Sequence, residues 1–194
     1  MSFETRKAMK RRFREDDAGI YPWRKWFEGK GIDVGCGPDK VPLTNFIGFD
    51  QKDGDANKLS SYFQIESFDV IHGSHVLEHM HNPHVSLRDW FKLLKPGGRM
   101  IQTVPDVGAY ERFNYPSKFN PDHKSSWSIV YRGSPFPIHC HLPTFLSEFS
   151  DIANIAVMRY VEENYNWSLP PNVDQTFICE NGSEIWNEFV LIKK

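Results

Sequence analysis

The chain has 194 residues, 40% hydrophobic and 25% charged, with a formal net charge of −2. Those values describe one globular domain long enough for a sizeable core. They leave no membrane span, because the apolar runs fall far short of about 20 residues, and they disfavour a nucleic-acid partner, which needs a basic surface. Residues 3–16 have helical composition, closed by Glu15-Asp16-Asp17. The basic cluster Arg6-Lys7, Lys10-Arg11-Arg12 and Arg14 reads as a solvated helix face, or as a contact for a phosphate or carboxylate on a substrate. Met1-Ser2-Phe3-Glu4 opens no apolar signal core, so the chain is expected in the cytoplasm. Cys36, Cys140 and Cys179 are too few and too widely spaced for a disulfide framework, and no Cys-x-x-Cys zinc signal exists.

Tyr21-Pro22-Trp23 and Trp26 lead to Gly29, where the densest signal begins. In Gly31-Ile32-Asp33-Val34-Gly35-Cys36-Gly37 an apolar strand ends in an acid and two alternate glycines. Glycine there lets the backbone pass close under a nucleoside-like ligand, and such ligands bind at this edge of an open α/β sheet. A dinucleotide fingerprint requires a third glycine three residues on, where this chain has Lys40. Phe46–Phe49 reads as a second strand ending in Asp50, an acid suited to a ribose diol. Asp55-Ala56 follows after only four polar residues, too few for a parallel crossover. One strand-helix unit is therefore missing, and Leu59–Phe63 is left to form a turn or short helix. Phe68-Asp69-Val70-Ile71 begins a further strand that delivers His72-Gly73-Ser74-His75 to its carboxyl end. Residues 86–94 have helical apolar spacing with Pro83 just before them. Leu94-Lys95-Pro96-Gly97-Gly98 then feeds the strand Met100–Val104.

This ordered set resembles the class I S-adenosylmethionine-dependent methyltransferases over roughly residues 29–106. The resemblance implies an α/β, Rossmann-like sheet, mostly parallel with an antiparallel last strand, reduced here by one strand-helix unit to fewer than seven strands. It implies a single domain over residues 1–194. Residues 1–28 would form an N-terminal helix, either a lid over the cofactor cleft or an element that Trp23 and Trp26 anchor to the sheet. Residues 29–104 would form the cofactor-binding half. Residues 105–142 would be a substrate-pocket insert with Tyr110, Tyr131 and His139 in its lining, and residues 143–194 a C-terminal helix and strand pair. S-adenosylmethionine is the implied cofactor. Asp33, Gly35, Cys36, Gly37, Asp50, Gln51, Asp55, Ala56 and Ser74 are the implied cofactor-binding residues.

Beside the methyl donor, His75, Glu78 and His79 would share one helical face. Three readings stand for them: a local Glu–His bond, acid/base use of His75 or His79, and a divalent metal. The last follows from a resemblance to ubiquinone-biosynthesis O-methyltransferases, some of which bind a cation on the matching helix. Those relatives have glutamate where this chain has His75, and no metal ligands are assigned. Methyl transfer to a hydroxyl needs a base, which histidine supplies near neutral pH, and His75, His79 and His139 are the catalytic candidates. The favoured acceptor is a hydroxyl of a small molecule such as a sugar or phenol. An RNA or protein methyltransferase and a non-catalytic cofactor-binding partner protein are the alternatives.

Overall fold

A computed structural model describes residues 4–176 and 183–194. Cys179 lies outside the described residues, and Cys36 and Cys140 are free thiols. No helix is long and apolar enough to cross a membrane among the described residues.

The chain runs α1 (Glu4–Asp17), α2 (Trp23–Trp26), β1 (Gly31–Val34), β2 (Phe46–Phe49), β3 (Phe68–Ser74), α3 (Pro83–Leu93) and β4 (Leu94–Pro105). It continues through β5 (Ser125–Ser128), β6 (Ile138–His141), α4 (Leu142–Ser147), β7 (Ala153–Glu163) and β8 (Glu184–Lys193). Six strands form one sheet in the order β2-β1-β3-β4-β8-β7. The first four neighbours pair in parallel, and β8 runs antiparallel to both β4 and β7. The expected sheet, with its antiparallel last strand and fewer than seven members, is the one observed. Among the described residues no strand lies beyond β2, so β2 is an edge.

Local chemistry explains the elements. All four residues of β1 are buried, as a central strand of a parallel sheet requires. In α3, Asn82 caps the helix by accepting from Val85 N at 3.2 Å, and Pro83 opens it without needing a donor. The helix buries Leu87, Trp90 and Phe91 against the sheet core of Ile32, Val34, Ile71 and Met100. Trp90 Nε1 donates to Ala56 O at 2.8 Å, which ties the short 3-10 helix Ala56–Ser61 to that face in place of the missing unit.

α1 departs from the sequence reading. Arg11 and Arg12 are buried, not solvated, and their partners are glutamates of β8. Arg11 Nε donates to Glu184 at 2.8 Å, and Arg12 Nε donates to Glu188 at 2.8 Å. The reason is that Glu184 and Glu188 carry acids into the sheet face that α1 covers, and a buried charge needs a counter-charge. Trp23 is fully buried and packs with Phe27 and with Phe46 and Val70 of the sheet. Residues 105–142 hold a small parallel pair, β5 with β6, joined to the end of β4 by a bridge between Asp106 and Trp127.

Candidate cofactor and active site

The turn after β1 is held from below. Gly35 has φ +68° and its N–H donates to Phe49 O at 2.8 Å. A Cβ on Gly35 would sit 2.6 Å from Val76 Cγ2, whereas one on Gly37 (φ +49°) would meet nothing. Asp33 is fully buried; its Oδ2 accepts from Val41 N at 2.7 Å and its Oδ1 lies 2.6 Å from His72 Nδ1. Both carboxylate oxygens are thus engaged within the protein. Asp33 shapes the turn and does not face the cavity.

A cavity of about 500 Å³ opens at the carboxyl ends of β1, β2 and β3, the size of a small-ligand site. Of the sequence-derived candidates, Gly35, Asp50, Gln51, Asp55, Ala56, His75 and His79 line it. Asp50 ends β2, and its Oδ1 accepts from Gln51 N at 2.9 Å. Asp55 caps the 3-10 helix: its Oδ1 accepts from Asn57 N at 2.9 Å and from Asn57 Nδ2 at 2.8 Å. These bonds hold the Asp55 carboxyl below the usual range.

Cys36, Gly37, Ser74 and His139 do not line the cavity. The Cys36 sulfur packs on Gly48, where a Cβ would come within 2.7 Å of it, and burial pushes its thiol up. Ser74 accepts from Thr103 Oγ1 at 3.0 Å. His139 sits in a separate pocket with His84, Cys140, His141 and Glu148. Its Nε2 donates to Tyr131 O at 2.8 Å, and its Nδ1 lies 2.9 Å from Ser126 Oγ. In the β5–β6 register His139 stands opposite Ser126, the residue its Nδ1 meets. Tyr110 and Tyr131 also lie off the main cavity, and the insert reaches it through Asp122 and Lys124 instead.

The His75–His79 segment is not one helix. His75 takes φ +54°, and only Leu77–His79 winds, as a single 3-10 turn. His75 therefore leaves the shared helical face and packs edge-on against Trp186, ring centroids 5.2 Å apart. Its Nδ1 stays 3.4 Å from Glu78 Oε1, and its Nε2 is buried without a hydrogen-bond partner among the described residues. Burial works to lower its pKa, but Glu4 and Glu78 outweigh that and leave it raised.

Asn57, Asp122 and Lys124 line the cavity without having been singled out in the sequence. Asn57 Oδ1 accepts from His81 N at 2.9 Å, which closes the loop after His79 onto the 3-10 helix. For Asn57 the signal was present, since it follows Asp55-Ala56 directly. Asp122 and Lys124 carry none, lying in a stretch without periodicity.

The turn, the acid ending the second strand and the missing third glycine fit a mononucleoside ligand better than a dinucleotide. Known proteins agree. A methyltransferase-domain family model matches residues 6–144. No protein of curated function matches the chain by sequence. Among solved structures, a SAM-dependent methyltransferase from Archaeoglobus fulgidus superposes with TM-score 0.59 at 15% identity, covering 94% of this chain and 98% of that one. A SAM-dependent methyltransferase from Thermotoga maritima gives 0.53 at 14% identity, over 94% of this chain and 99% of that one. The YcgJ protein of Bacillus subtilis gives 0.53 at 14% identity, over 86% and 92%. The fold places this chain with all three, and the family match over the turn, the cavity and the insert makes it a member of the methyltransferase-domain family, a class I S-adenosylmethionine-dependent enzyme.

Proposed function

We propose that this enzyme methylates a hydroxyl of a small molecule, such as a sugar or phenol, in the cytoplasm. One observation carries the reading: a single cavity joins Asp50 and Ala56 at one end to His75 and His79 at the other. Bound S-adenosylmethionine supplies a sulfonium-activated methyl group. The protein's task is to hold that group and an acceptor oxygen in line, which is worth several kcal/mol of barrier.

Asp50 suits the ribose, because its Oδ2 makes no hydrogen bond among the described residues and faces a cavity end where paired hydroxyls can donate. The Gly35 backbone gives the close approach that a side chain would block. Asp55 and Ala56 border the adenine end, with Asp55 fixed by Asn57. His75 is the base that takes the acceptor's hydroxyl proton: the residue lines the cavity, and its buried Nε2 has no hydrogen-bond partner among the described residues. Glu78 beside Nδ1 steadies the imidazolium that results. Asp122 and Lys124 bound the acceptor side.

The test is incubation with S-adenosylmethionine and a panel of sugars, phenols, amines, RNA and peptides, reading S-adenosylhomocysteine release. Turnover on hydroxyl acceptors is expected. Turnover confined to amines, RNA or peptides would overturn the acceptor assignment, and tight cofactor binding with no turnover on any class would favour a non-catalytic partner.

A further inference from the structure

Behind the cavity wall, Glu78, His79 and His123 bring one side-chain donor atom each within 4.8 Å of one another. Glu78 is fully buried, and neither of its carboxylate oxygens has a hydrogen-bond partner among the described residues. Its ion-pair contacts among the described residues are with His75 Nδ1 at 3.4 Å and His123 Nε2 at 3.9 Å. A buried carboxylate without a hydrogen bond is costly, and here only imidazole rings stand near enough to offset its charge.

The two histidines are prepared in the same way. His79 Nδ1 lies 3.0 Å from Asp122 Oδ2, and His123 Nδ1 lies 2.5 Å from Glu111 Oε1. A carboxylate only accepts, so each Nδ1 is the donor in these contacts and each Nε2 is the ring nitrogen left to meet a metal. The rings sit edge to face, centroids 4.8 Å apart. Lys124 N donates to Glu78 O at 2.7 Å, which pins the loop bearing His123 to the turn bearing Glu78 and His79. Carboxylates behind imidazoles are what orients metal-ligating histidines and raises their basicity.

We infer that Glu78, His79 and His123 form a binding site for a divalent first-row transition metal, with Asp122 and Glu111 as its supporting carboxylates. Two imidazole nitrogens and one carboxylate favour Zn²⁺, Co²⁺ or Fe²⁺ over Mg²⁺ and Ca²⁺, which prefer oxygen. Bonds of about 2.1 Å need donors roughly 3.4 Å apart, so the three side chains, now within 4.8 Å of one another, would have to draw together on binding. Three protein ligands leave positions open on the side where His79 borders the cavity. His75 is not a ligand; it faces Trp186. The use of such an ion, to bind and acidify the acceptor hydroxyl beside His75, rests on the hydroxyl reading above, whereas the site itself does not.

Co²⁺ is the probe. The purified chain is titrated with Co²⁺ alone, reading visible absorption and bound metal per chain, with S-adenosylmethionine affinity measured in parallel by calorimetry. One Co²⁺ per chain is expected, displaced by Zn²⁺ and not by Mg²⁺. His123→Ala is expected to abolish it, and Glu111→Gln to weaken it about 10- to 100-fold. Should His123→Ala fail to fold, His79→Ala, at a half-buried position, takes its place. No Co²⁺ binding, or binding that His79→Ala and Glu111→Gln leave unchanged, overturns the site. If S-adenosylmethionine still binds in that case, the methyltransferase reading stands without the metal; if metal binds and no hydroxyl acceptor turns over, the site stands without its proposed use.

Discussion

Arg12 Nη1 lies 3.0 Å from His72 Nε2, and that contact fixes the state of a histidine 60 residues away in sequence. A guanidinium only donates and stays protonated. His72 Nε2 must therefore accept, and the ring proton sits on Nδ1, where it donates to Asp33 Oδ1 at 2.6 Å. Glu188, Arg12, His72 and Asp33 form one buried line from β8 to the cofactor turn. Replacing His72 by leucine strands a charged group on each side. His72→Leu should lose about 2–5 kcal/mol of stability in urea unfolding, and the folded fraction should bind cofactor more weakly because Val41 and its turn loosen.

The same line gives a pH dependence. Burial pushes the Glu188 carboxyl up, but the guanidiniums of Arg12, Arg11 and Arg159 hold it far below the usual carboxylate range. A carboxyl whose folded pKa is depressed adds stability above its unfolded pKa and loses it as pH falls. The contribution should be complete above about pH 5 and fade progressively in more acid solution. Glu188→Gln should cost about 3–5 kcal/mol at pH 7 and show a flatter fall in stability below pH 5 than the wild type. An equally steep acid limb in the variant would remove Glu188 as its source.

Asp50→Ala removes a charged acceptor from the ribose end of the cavity. Such a partner is worth about 1.5–3 kcal/mol, so S-adenosylmethionine affinity should fall roughly 10- to 150-fold by calorimetry. An unchanged affinity in a folded variant would exclude Asp50 as the ribose anchor.

The two glycines of the turn should separate. Gly35→Ala combines left-handed strain of about 1–2 kcal/mol with a Cβ 2.6 Å from Val76. Gly37→Ala carries the strain alone. Thermal unfolding should show Gly35→Ala the more destabilised, and a reversed order would mean that Val76 yields freely.

His75→Ala should lower turnover about 10²- to 10⁴-fold, the usual worth of a positioned base, and leave cofactor affinity within a few-fold. Single-turnover rates on the acceptor found in the panel test this. A near-wild-type rate would move proton transfer to His79 or to solvent.

How far the sequence carried varies with the range of the interaction concerned. The turn after β1, the acid at Asp50, the helix opened by Pro83 and the shortened sheet edge are legible, because each rests on a few consecutive residues. Asp33 reads as a cofactor residue, whereas both its carboxylate oxygens are bonded within the protein: nothing local says that residue 72 will occupy one of them. The arginines of α1 read as solvated because their glutamates come more than 170 residues later. Helical spacing put His75 with Glu78 and His79, but a positive φ at His75 breaks that face. His123, the better companion, lies in an aperiodic stretch that only the tertiary fold brings near. The resemblance puts His139 in the acceptor pocket, whereas it lines a separate pocket with Cys140 and His141.

The absent strand-helix unit also creates a problem of self-association. An outer strand presents a row of unpaired backbone groups on which another chain can add. Asn45 O, just before β2, and Phe49 O at its end turn inward to accept from β1 and from the turn after it, so Phe46 O points outward. Lys40 Nζ donates to that outward carbonyl at 2.8 Å. A strand of four residues has few such groups, and one of them carries a cation. Lys40, which broke the dinucleotide pattern, thus also makes the bared rim of the sheet a poor template for a second copy.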